Sequence, residues 1–263
     1  MSKVLPLQKG VIYGPVNSKR LGRSLGINLL STTRKICTYD CVYCHYGLTD
    51  DKTLTPHRED FPTVKQIISA VEQALKSELL FDYLTFSGNG EPMLHPDFAE
   101  IVDQIKHLRD KLRPTVPITL LSNSSCLIKS FDIDALSKIN VRIFKLDCAD
   151  QTTFELINNA LAGIKIEDII LALEKLSSLL PIIIQTVFFD GLTKNYEGIV
   201  FEQWLVAVKK INPQKIQIYS TDRPVASSKI KMISDGQLQE LAQKIIEAAD
   251  IPTTAYPARK KVI

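Results

Sequence analysis

The chain has 263 residues, of which 45% are hydrophobic and 23% are charged. This balance is typical of a globular protein and excludes coiled coils, collagen-like repeats and bulk disorder. The 32 basic and 29 acidic residues leave a net charge of +3, which is too small to indicate nucleic-acid binding by itself. No apolar run approaches the roughly 18 residues of a membrane-spanning helix, and the first residues lack a signal-peptide pattern. We therefore expect a cytoplasmic protein without a membrane span.

Short runs of β-forming residues alternate with longer runs of helical periodicity through most of the chain. The pattern predicts strands over residues 24–30, 81–86, 118–121, 141–146, 182–189 and 215–219. It predicts helices over residues 64–80, 97–111, 133–138, 166–180, 202–211 and 237–249. Strands that alternate with helices of this length indicate βαβ units, and therefore an α/β fold with a parallel sheet.

The predicted strands are too few to close an eight-stranded (β/α)8 barrel. They fit either an open, doubly wound sheet or a partial, curved six-stranded barrel. The sequence contains no repeat of fixed period and no Gly/Ser linker, so we expect one domain over residues 1–263. Its predicted parts are an N-terminal segment with the first strand (1–30), a cysteine loop (31–50), β/α repeats (51–250) and a C-terminal tail (251–263).

Three of the five cysteines lie close together, as Cys37, Cys41 and Cys44 in a C-x3-C-x2-C spacing. In a reducing compartment this clustering favours metal binding or redox chemistry over disulfides. A structural zinc ion and a fully ligated iron–sulfur cluster both take four ligands, and His45 would have to bend back sharply to supply the fourth. Three thiolates with an open position indicate a metal centre that binds a further molecule. We expect the two remaining cysteines to be buried thiols.

The aromatic Tyr43, directly before the third cysteine, completes the pattern C-x3-C-x-aromatic-C. This pattern resembles the defining motif of the radical S-adenosylmethionine (SAM) superfamily. The resemblance implies a partial six-stranded parallel (β/α)6 barrel and one 4Fe–4S cluster, in which the cysteines bind three irons and SAM binds the fourth. It also implies that one electron cleaves SAM to a 5′-deoxyadenosyl radical, which abstracts a hydrogen atom from the substrate. Such an enzyme needs an external electron donor of the flavodoxin or ferredoxin type.

A glycine-rich turn after the second predicted strand resembles the superfamily's Gly-Gly-Glu element, which contacts the amino group of SAM. It comprises Ser87, Gly88, Asn89, Gly90 and Glu91. Glycine permits a close approach between backbone and ligand, and the Glu91 carboxylate suits an ammonium group. Further polar residues lie at or within the later strands, where α/β barrels build their reaction face. The resemblance assigns these residues to SAM as well: Ser122, Asn123, Asp147 and Gln185, together with Tyr43.

A narrower resemblance rests on residues 14–26 (GPVNSKRLGRSLG), 87–92 (SGNGEP), 145–150 (KLDCAD) and 221–224 (TDRP). These segments resemble the wyosine synthetase-like group of radical SAM proteins, whose namesakes modify a guanosine of tRNA. The resemblance implies a tRNA base as substrate. The namesakes carry a further cysteine set ahead of the motif, whereas no cysteine precedes Cys37 in this sequence.

Two other functions stay open: a radical enzyme that modifies or activates a peptide or protein partner, and a structural metal-binding protein. Contacts with tRNA would need basic residues near the cysteine loop. The candidates in the sequence are Lys19, Arg20, Arg23, Arg34 and Lys35. A solvated protein surface, or contacts with the cofactor carboxylate, would explain these residues at least as well.

Overall fold

The computed structural model describes residues 4–258, which divide into two units. The N-terminal unit consists of Pro6–Thr38 and Thr49–Ile143. The C-terminal unit consists of residues 4–5, Tyr39–Leu48 and residues 144–258. The boundary falls within the cysteine loop, so the two units supply different cysteines of the motif.

The strands of the N-terminal unit are β1 (Ile12–Ser18), β2 (Gly22–Ile27), β3 (Ile36–Cys37), β4 (Asp51–Lys52), β5 (Tyr83–Phe86), β6 (Ile118–Ser122) and the start of β7 (Val141–Lys145). Its sheet has the strand order β1-β2-β5-β6-β7, and β3 and β4 form a separate parallel pair. The first two strands are antiparallel, whereas β2, β5 and β6 are parallel to one another. In the parallel part, Ser24 lies opposite Tyr83, and Leu84 lies opposite Ile118.

The helices of this unit are α1 (Val64–Lys76), α2 (Phe98–Leu112) and α3 (Ile133–Ser137). Helix α1 shows why the sequence folds locally as it does. Thr63 and Gln66 form a capping box that satisfies backbone N–H groups at the start of the helix. Its apolar residues recur at helical spacing, so one face is buried and packs against α2: Ile67, Val71, Ala74 and Leu75.

The C-terminal unit contains the end of β7, then α4 (Gln151–Asn158), α5 (Ile166–Leu179), β8 (Ile183–Val187), β9 (Phe189–Gly191), α6 (Gly198–Ile211), β10 (Lys215–Tyr219), β11 (Ile230–Met232), α7 (Asp235–Ala249) and β12 (Thr253–Tyr256). Its sheet has the order β7-β8-β10-β12, with β8, β10 and β12 parallel. Strands β9 and β11 form an antiparallel pair. Trp204 and Phe201 of α6 are fully buried and pack on Phe188 at the end of β8.

All predicted strands and helices form, with shifted ends. The run 182–189 was predicted as one strand, but the structure divides it into β8 and the start of β9. Helix α7 begins before the predicted residue 237, because Ser234 caps it with a hydrogen bond from Gln237. Helix α4 and five strands were not predicted: β1, β3, β4, β11 and β12. Helix α4 begins at a side-chain cap from Asp150, which accepts a hydrogen bond from the backbone of Thr153.

Within residues 4–258, no helix combines the length and the apolar composition needed to cross a membrane.

Candidate active site

The cysteine loop presents thiols that are not used in disulfides. All five cysteines of the chain lie within the described residues, and none of them is bonded to another. Cys37 ends β3 in the N-terminal unit, whereas Cys41 and Cys44 lie in a turn of the C-terminal unit. The turn is closed by a hydrogen bond from the backbone N–H of Cys44 to the carbonyl of Cys41, at 3.0 Å. The candidate residues of the two units are described separately below.

Glu91 lies at the centre of the candidate residues of the N-terminal unit. Its side chain is buried and accepts three hydrogen bonds: from Ser122 Oγ at 3.0 Å, from the backbone N–H of Met93 at 3.0 Å and from that of Asn123 at 2.6 Å. Burial raises the pKa of Glu91 to about 7, although these three hydrogen bonds act in the opposite direction. No cationic side chain among the described residues forms an ion pair with Glu91. A buried carboxylate of this kind is complementary to an ammonium group.

Asn123 connects this carboxylate to the first cysteine. Its backbone N–H binds Glu91, while its side-chain nitrogen lies 3.4 Å from Sγ of Cys37 and 2.8 Å from Oγ1 of Thr38. The side-chain oxygen of Asn123 accepts hydrogen bonds from the backbone and the hydroxyl of Ser125, at 3.0 and 2.7 Å. The predicted residues Glu91, Ser122, Asn123 and Cys37 therefore lie together at the ends of β6 and β3.

The glycine-rich turn has a structural reason for its composition. A Cβ atom on Gly90 would lie 1.7 Å from the carbonyl oxygen of Ile36, so only glycine allows the turn to pair with β3 beside Cys37. Asn89 is fully buried, and its side chain binds the backbone of Gln8 and Ser31. The side chain of Asn89 is thus engaged with the protein itself. Ser87 Oγ lies 2.5 Å from the hydroxyl of Tyr13.

Tyr43 and Asp147 lie at the centre of the candidate residues of the C-terminal unit. The Tyr43 hydroxyl donates a hydrogen bond to Oδ2 of Asp147, whose side chain has no exposed surface. Nζ of Lys145 lies 2.8 Å from the other carboxylate oxygen. Burial is the largest single effect on Lys145 and lowers its pKa, but the charge interactions and hydrogen bonds with Asp147 and Tyr219 together outweigh it, so the pKa is raised. Burial and the same carboxylate raise the pKa of Tyr43, so the phenol keeps its proton.

Gln185 lies in β8, directly opposite Gln217 of β10, and the two side chains are hydrogen-bonded at 3.0 Å. Both are buried. Gln185 is thus part of a polar pair on the sheet of the C-terminal unit, and among the described residues its side chain is bonded to Gln217 and not to Tyr43 or Asp147. This predicted residue is not brought into the Tyr43–Asp147 cluster by direct contact.

A later segment of the chain is attached to the second part of the cysteine loop. The N–H groups of Ala226 and Ser227 donate to the carbonyls of Cys44 and Val42, both at 2.9 Å. Nδ1 of His45 lies 2.9 Å from the carbonyl oxygen of Pro224. This ring nitrogen of His45 is thus directed at the 224–227 segment.

The basic residues considered for tRNA contacts are partly used within the protein. Arg23 forms a two-pronged hydrogen-bonded ion pair with Asp82, and Arg34 pairs with Asp60 at 2.5 Å. Lys35 is 2% exposed. Three of the five side chains are therefore committed to internal partners or buried.

Sequence reasoning missed Asn158, the last residue of α4. Its side chain contacts both Cys41 and Tyr43 within the C-terminal unit. It lies 117 residues from Cys41 in the sequence, and no spacing rule connects them. Of the other two cysteines, Cys148 is buried as expected, whereas Cys126 is half-buried. Desolvation raises the pKa of both thiols well above the usual range.

The residues present fit the chemistry of the cluster and of SAM. Cysteine sulfurs are the ligands that iron–sulfur clusters take, and two of the three sulfurs accept hydrogen bonds from asparagine amides. A buried carboxylate without a cationic partner fits the amino group of SAM. In the described part of the chain, no group of three His, Cys, Asp or Glu side chains is close enough to hold a single metal ion.

A comparison with families of known proteins gives a match over more than half of the chain. A model of the radical SAM superfamily matches residues 32–202, which is more than half of the chain and includes the three cysteines of the motif.

Curated relatives are 28–29% identical to this chain over the aligned residues. A UPF0026 protein of Synechocystis sp. is 29% identical and covers 94% of this chain and 97% of its own length. A UPF0026 protein of Methanocaldococcus jannaschii is 29% identical over 84% of this chain and 66% of that protein. A protein of Brachyspira hyodysenteriae named GTPase Obg is 28% identical over 94% of this chain, which spans 36% of that protein. The chain thus spans about a third of the Brachyspira protein and most of the other two relatives.

Solved structures with similar folds have lower identities. A radical SAM methyltransferase from Sphaerobacter thermophilus has a TM-score of 0.61 at 16% identity, over 88% of this chain and 65% of its own. TYW1 with a bound lysine–pyruvate adduct has a TM-score of 0.59 at 17% identity, over 87% of this chain and 75% of that one. SuiB of Streptococcus suis bound to its precursor peptide SuiA has a TM-score of 0.57 at 17% identity, over 86% of this chain and 49% of that one. These similarities confirm the predicted α/β fold with its mostly parallel sheet.

Proposed function

Because this chain belongs to the radical SAM superfamily of enzymes, we propose that it binds one 4Fe–4S cluster through Cys37, Cys41 and Cys44. When bound, the cluster and SAM supply a 5′-deoxyadenosyl radical, which abstracts a hydrogen atom from the substrate. The two units then act together as one catalytic domain. The match to the superfamily supports this, because it extends over parts of both units.

The observation that carries the proposal is the buried carboxylate of Glu91 beside the first cysteine. Glu91 would bind the amino group of SAM, since an ammonium donates to a carboxylate in a charge-assisted hydrogen bond. Asn123 holds this carboxylate through its backbone and the Cys37 sulfur through its side chain. One residue thus fixes the distance between an iron ligand and an ammonium site.

The other predicted side chains have supporting roles in this proposal. Gly90 lets the turn approach β3, and Asn89 fixes the turn on the backbone of the N-terminal unit. Asp147 holds the hydroxyl of Tyr43 and keeps the ammonium of Lys145 charged. We propose that four further residues make polar contacts to SAM: Ser87, Gly88, Ser122 and Gln185.

The test is anaerobic reconstitution with iron and sulfide, followed by reduction with dithionite in the presence of SAM. We expect about four irons and about four sulfides per chain, a brown protein, and 5′-deoxyadenosine as a product measured by mass spectrometry. The matched control omits dithionite and should give no 5′-deoxyadenosine. One zinc per chain without sulfide would contradict the proposal and support a structural metal-binding protein.

For the substrate we propose a tRNA base, with a flavodoxin- or ferredoxin-type protein as the electron donor. The four segments that resemble the wyosine synthetase-like group support the tRNA base. The lysine–pyruvate adduct belongs to the TYW1 structure and the precursor peptide to SuiB. In this chain Asp147 holds Lys145 in its charged ammonium form. An imine forms only from the neutral amine. We therefore propose that Lys145 binds an anionic group and does not form an imine.

A further inference from the structure

Asn158 contacts three candidate site residues of the C-terminal unit. Its side-chain nitrogen lies 3.4 Å from Sγ of Cys41, 3.1 Å from the hydroxyl oxygen of Tyr43 and 3.2 Å from Oδ2 of Asp147. The residue is 3% exposed. An amide nitrogen has two protons and acts as a donor, so a hydrogen-bond donor is fixed beside the sulfur of the second cysteine.

The end of α4 also holds the backbone of the cysteine loop. The N–H of Val42 donates to the carbonyl of Ile157, and the N–H of Asp40 donates to that of Asn158, both at 2.9 Å. The last carbonyl groups of a helix have no partner within the helix, and here the loop supplies the partners. The residues on both sides of Cys41 are therefore attached to the same helix end that carries the Asn158 side chain.

This position has an electrostatic cost for the sulfur. The C-terminal end of a helix carries a partial negative charge, which disfavours further negative charge on a nearby group. Reduction of an iron–sulfur cluster adds an electron, and hydrogen bonds to the cysteine sulfurs influence the reduction potential. A donor from Asn158 offsets the field of the helix end and favours the reduced state.

We propose that Asn158 is a positioning residue that holds the side chains of Cys41 and Tyr43 in fixed positions relative to each other and raises the reduction potential of the cluster. The inference rests on the proposed function, because it needs the cluster that Cys41 would bind. In the N-terminal unit the amide of Asn123 makes the corresponding contact with Cys37, also at 3.4 Å. Two of the three cysteine sulfurs thus receive the same kind of donor from unrelated parts of the chain.

The experiment is a redox titration of the reconstituted Asn158→Leu protein, monitored by electron paramagnetic resonance. At a fixed potential we expect the ratio of reduced to oxidised cluster to fall about tenfold, equivalent to a midpoint about 59 mV lower. Asn158→Gln keeps an amide donor and should recover most of the shift. Asn195→Leu is the matched control, because Asn195 is a fully buried amide of the same unit that donates to the backbone carbonyls of Asp147 and Val187. This control should keep the wild-type midpoint.

A second measurement does not need the cluster. Hydrogen–deuterium exchange of the cluster-free protein should show the amides of Asp40 and Val42 exchanging about tenfold faster in Asn158→Leu than in the wild type, because side-chain contacts no longer hold the loop at the helix end. A loaded Asn158→Leu protein with the wild-type midpoint would overturn the tuning role, and unchanged exchange would overturn the positioning role. Failure of the wild-type protein to assemble a cluster would instead refute the proposed function, and the exchange experiment would still decide whether Asn158 holds the loop.

Discussion

Lys145 and Asp147 form a buried ion pair in the C-terminal unit, with Nζ 2.8 Å from the carboxylate and no exposed surface on the aspartate side chain. The ammonium also lies over the rings of Tyr43 and Tyr219, 4.9 and 5.0 Å from their centroids. Removal of one partner from such a pair leaves an uncompensated buried charge, which costs more than the complete pair contributes. The pair is therefore expected to be sensitive to substitution on either side.

We predict that Lys145→Met lowers the free energy of unfolding by about 3–5 kcal/mol, because Asp147 then stays buried without its cation. Urea denaturation followed by circular dichroism measures the change. Lys194→Met is the control, since Lys194 pairs with Glu197 in an exposed position and should have little effect. Equal midpoints for Lys145→Met and the wild type would show that the ion pair does not stabilise this unit.

The second prediction concerns the dependence of stability on pH through Glu91. Burial raises the pKa of this carboxyl to about 7 in the folded protein, from an ordinary value of 4.5. Between these values the folded state binds more protons than the unfolded state, so stability falls as the pH rises through this window, by about 3 kcal/mol in total. Glu91→Gln removes this contribution. Urea denaturation of the cofactor-free protein at about pH 5 and about pH 8 tests it, and an identical pH dependence in both proteins would contradict it.

Glu91→Gln should also weaken the binding of SAM by about ten- to a hundredfold, because a hydrogen bond to a charged group contributes roughly 1.5–3 kcal/mol. The iron content and the absorption spectrum of the cluster should stay unchanged. Isothermal titration calorimetry of the reconstituted protein gives the dissociation constant. An unchanged constant would assign Glu91 to the structure of the turn alone.

For the cluster ligands we predict that Cys41→Ala loses most of its bound iron, because no other thiol of the motif can replace a soft sulfur ligand. Cys126→Ala is the matched control, since burial raises the pKa of that thiol and keeps it protonated. Iron and sulfide analysis after reconstitution distinguishes the two. Full iron content in Cys41→Ala would remove this residue from the ligand set.

Gly90→Ala should disturb the cysteine loop without touching a cysteine. The added methyl group would lie 1.7 Å from the Ile36 carbonyl oxygen, so β3 and Cys37 have to move. We expect a loss of thermal stability and of cluster loading. Gly10→Ala is the control, because its nearest neighbour lies at an ordinary contact distance of 3.7 Å. A Gly90→Ala protein that loads iron like the wild type would show that the loop tolerates this shift.

The tRNA proposal predicts binding that weakens steeply with salt, at a log–log slope near −0.7 to −0.9 for each phosphate contacted. Lys19 and Arg20 are the residues to replace, because both have surface that solvent can reach, whereas Lys35 is buried. The Lys19→Ala/Arg20→Ala protein should show a slope less steep by about 1 to 2. Absence of tRNA binding at low salt would refute the tRNA proposal and favour a peptide or small-molecule substrate.

The parallel strands were predictable because their signal is local. A run such as residues 118–121 consists of three apolar residues and the β-forming Thr119, a composition typical of strands covered on both faces. Strand β1 was missed because Gly14 and Pro15 interrupt its pattern, and the register shifts at this point. Helix α4 has few apolar residues, so its periodicity is weak; its Asp150 cap is the signal that would have indicated it.

The three cysteines were readable for the same reason, since the motif lies within eight consecutive residues. The partners of the motif are distant in sequence. Asn158 reaches Cys41 across 117 residues, and Asn123 reaches Cys37 across 86. Asn89 is the opposite case. It lies in the glycine-rich turn that was predicted to bind SAM, but its side chain binds the backbone of Gln8 and Ser31. Only the fold decides which polar residue of a turn is directed inward.

The hydrogen bonds from Ala226 and Ser227 to the carbonyls of Cys44 and Val42 affect how the cysteine loop folds during synthesis on the ribosome. A ribosome releases residue 44 long before residue 226, and contacts of such large sequence separation form late. The nascent chain therefore carries its three thiols on a loop that lacks these bonds until residues 224–227 have been synthesised. Iron–sulfur delivery machinery would meet the finished cysteine loop only after these residues have left the ribosome, and a prematurely terminated chain that ends before residue 224 would present thiols without this support.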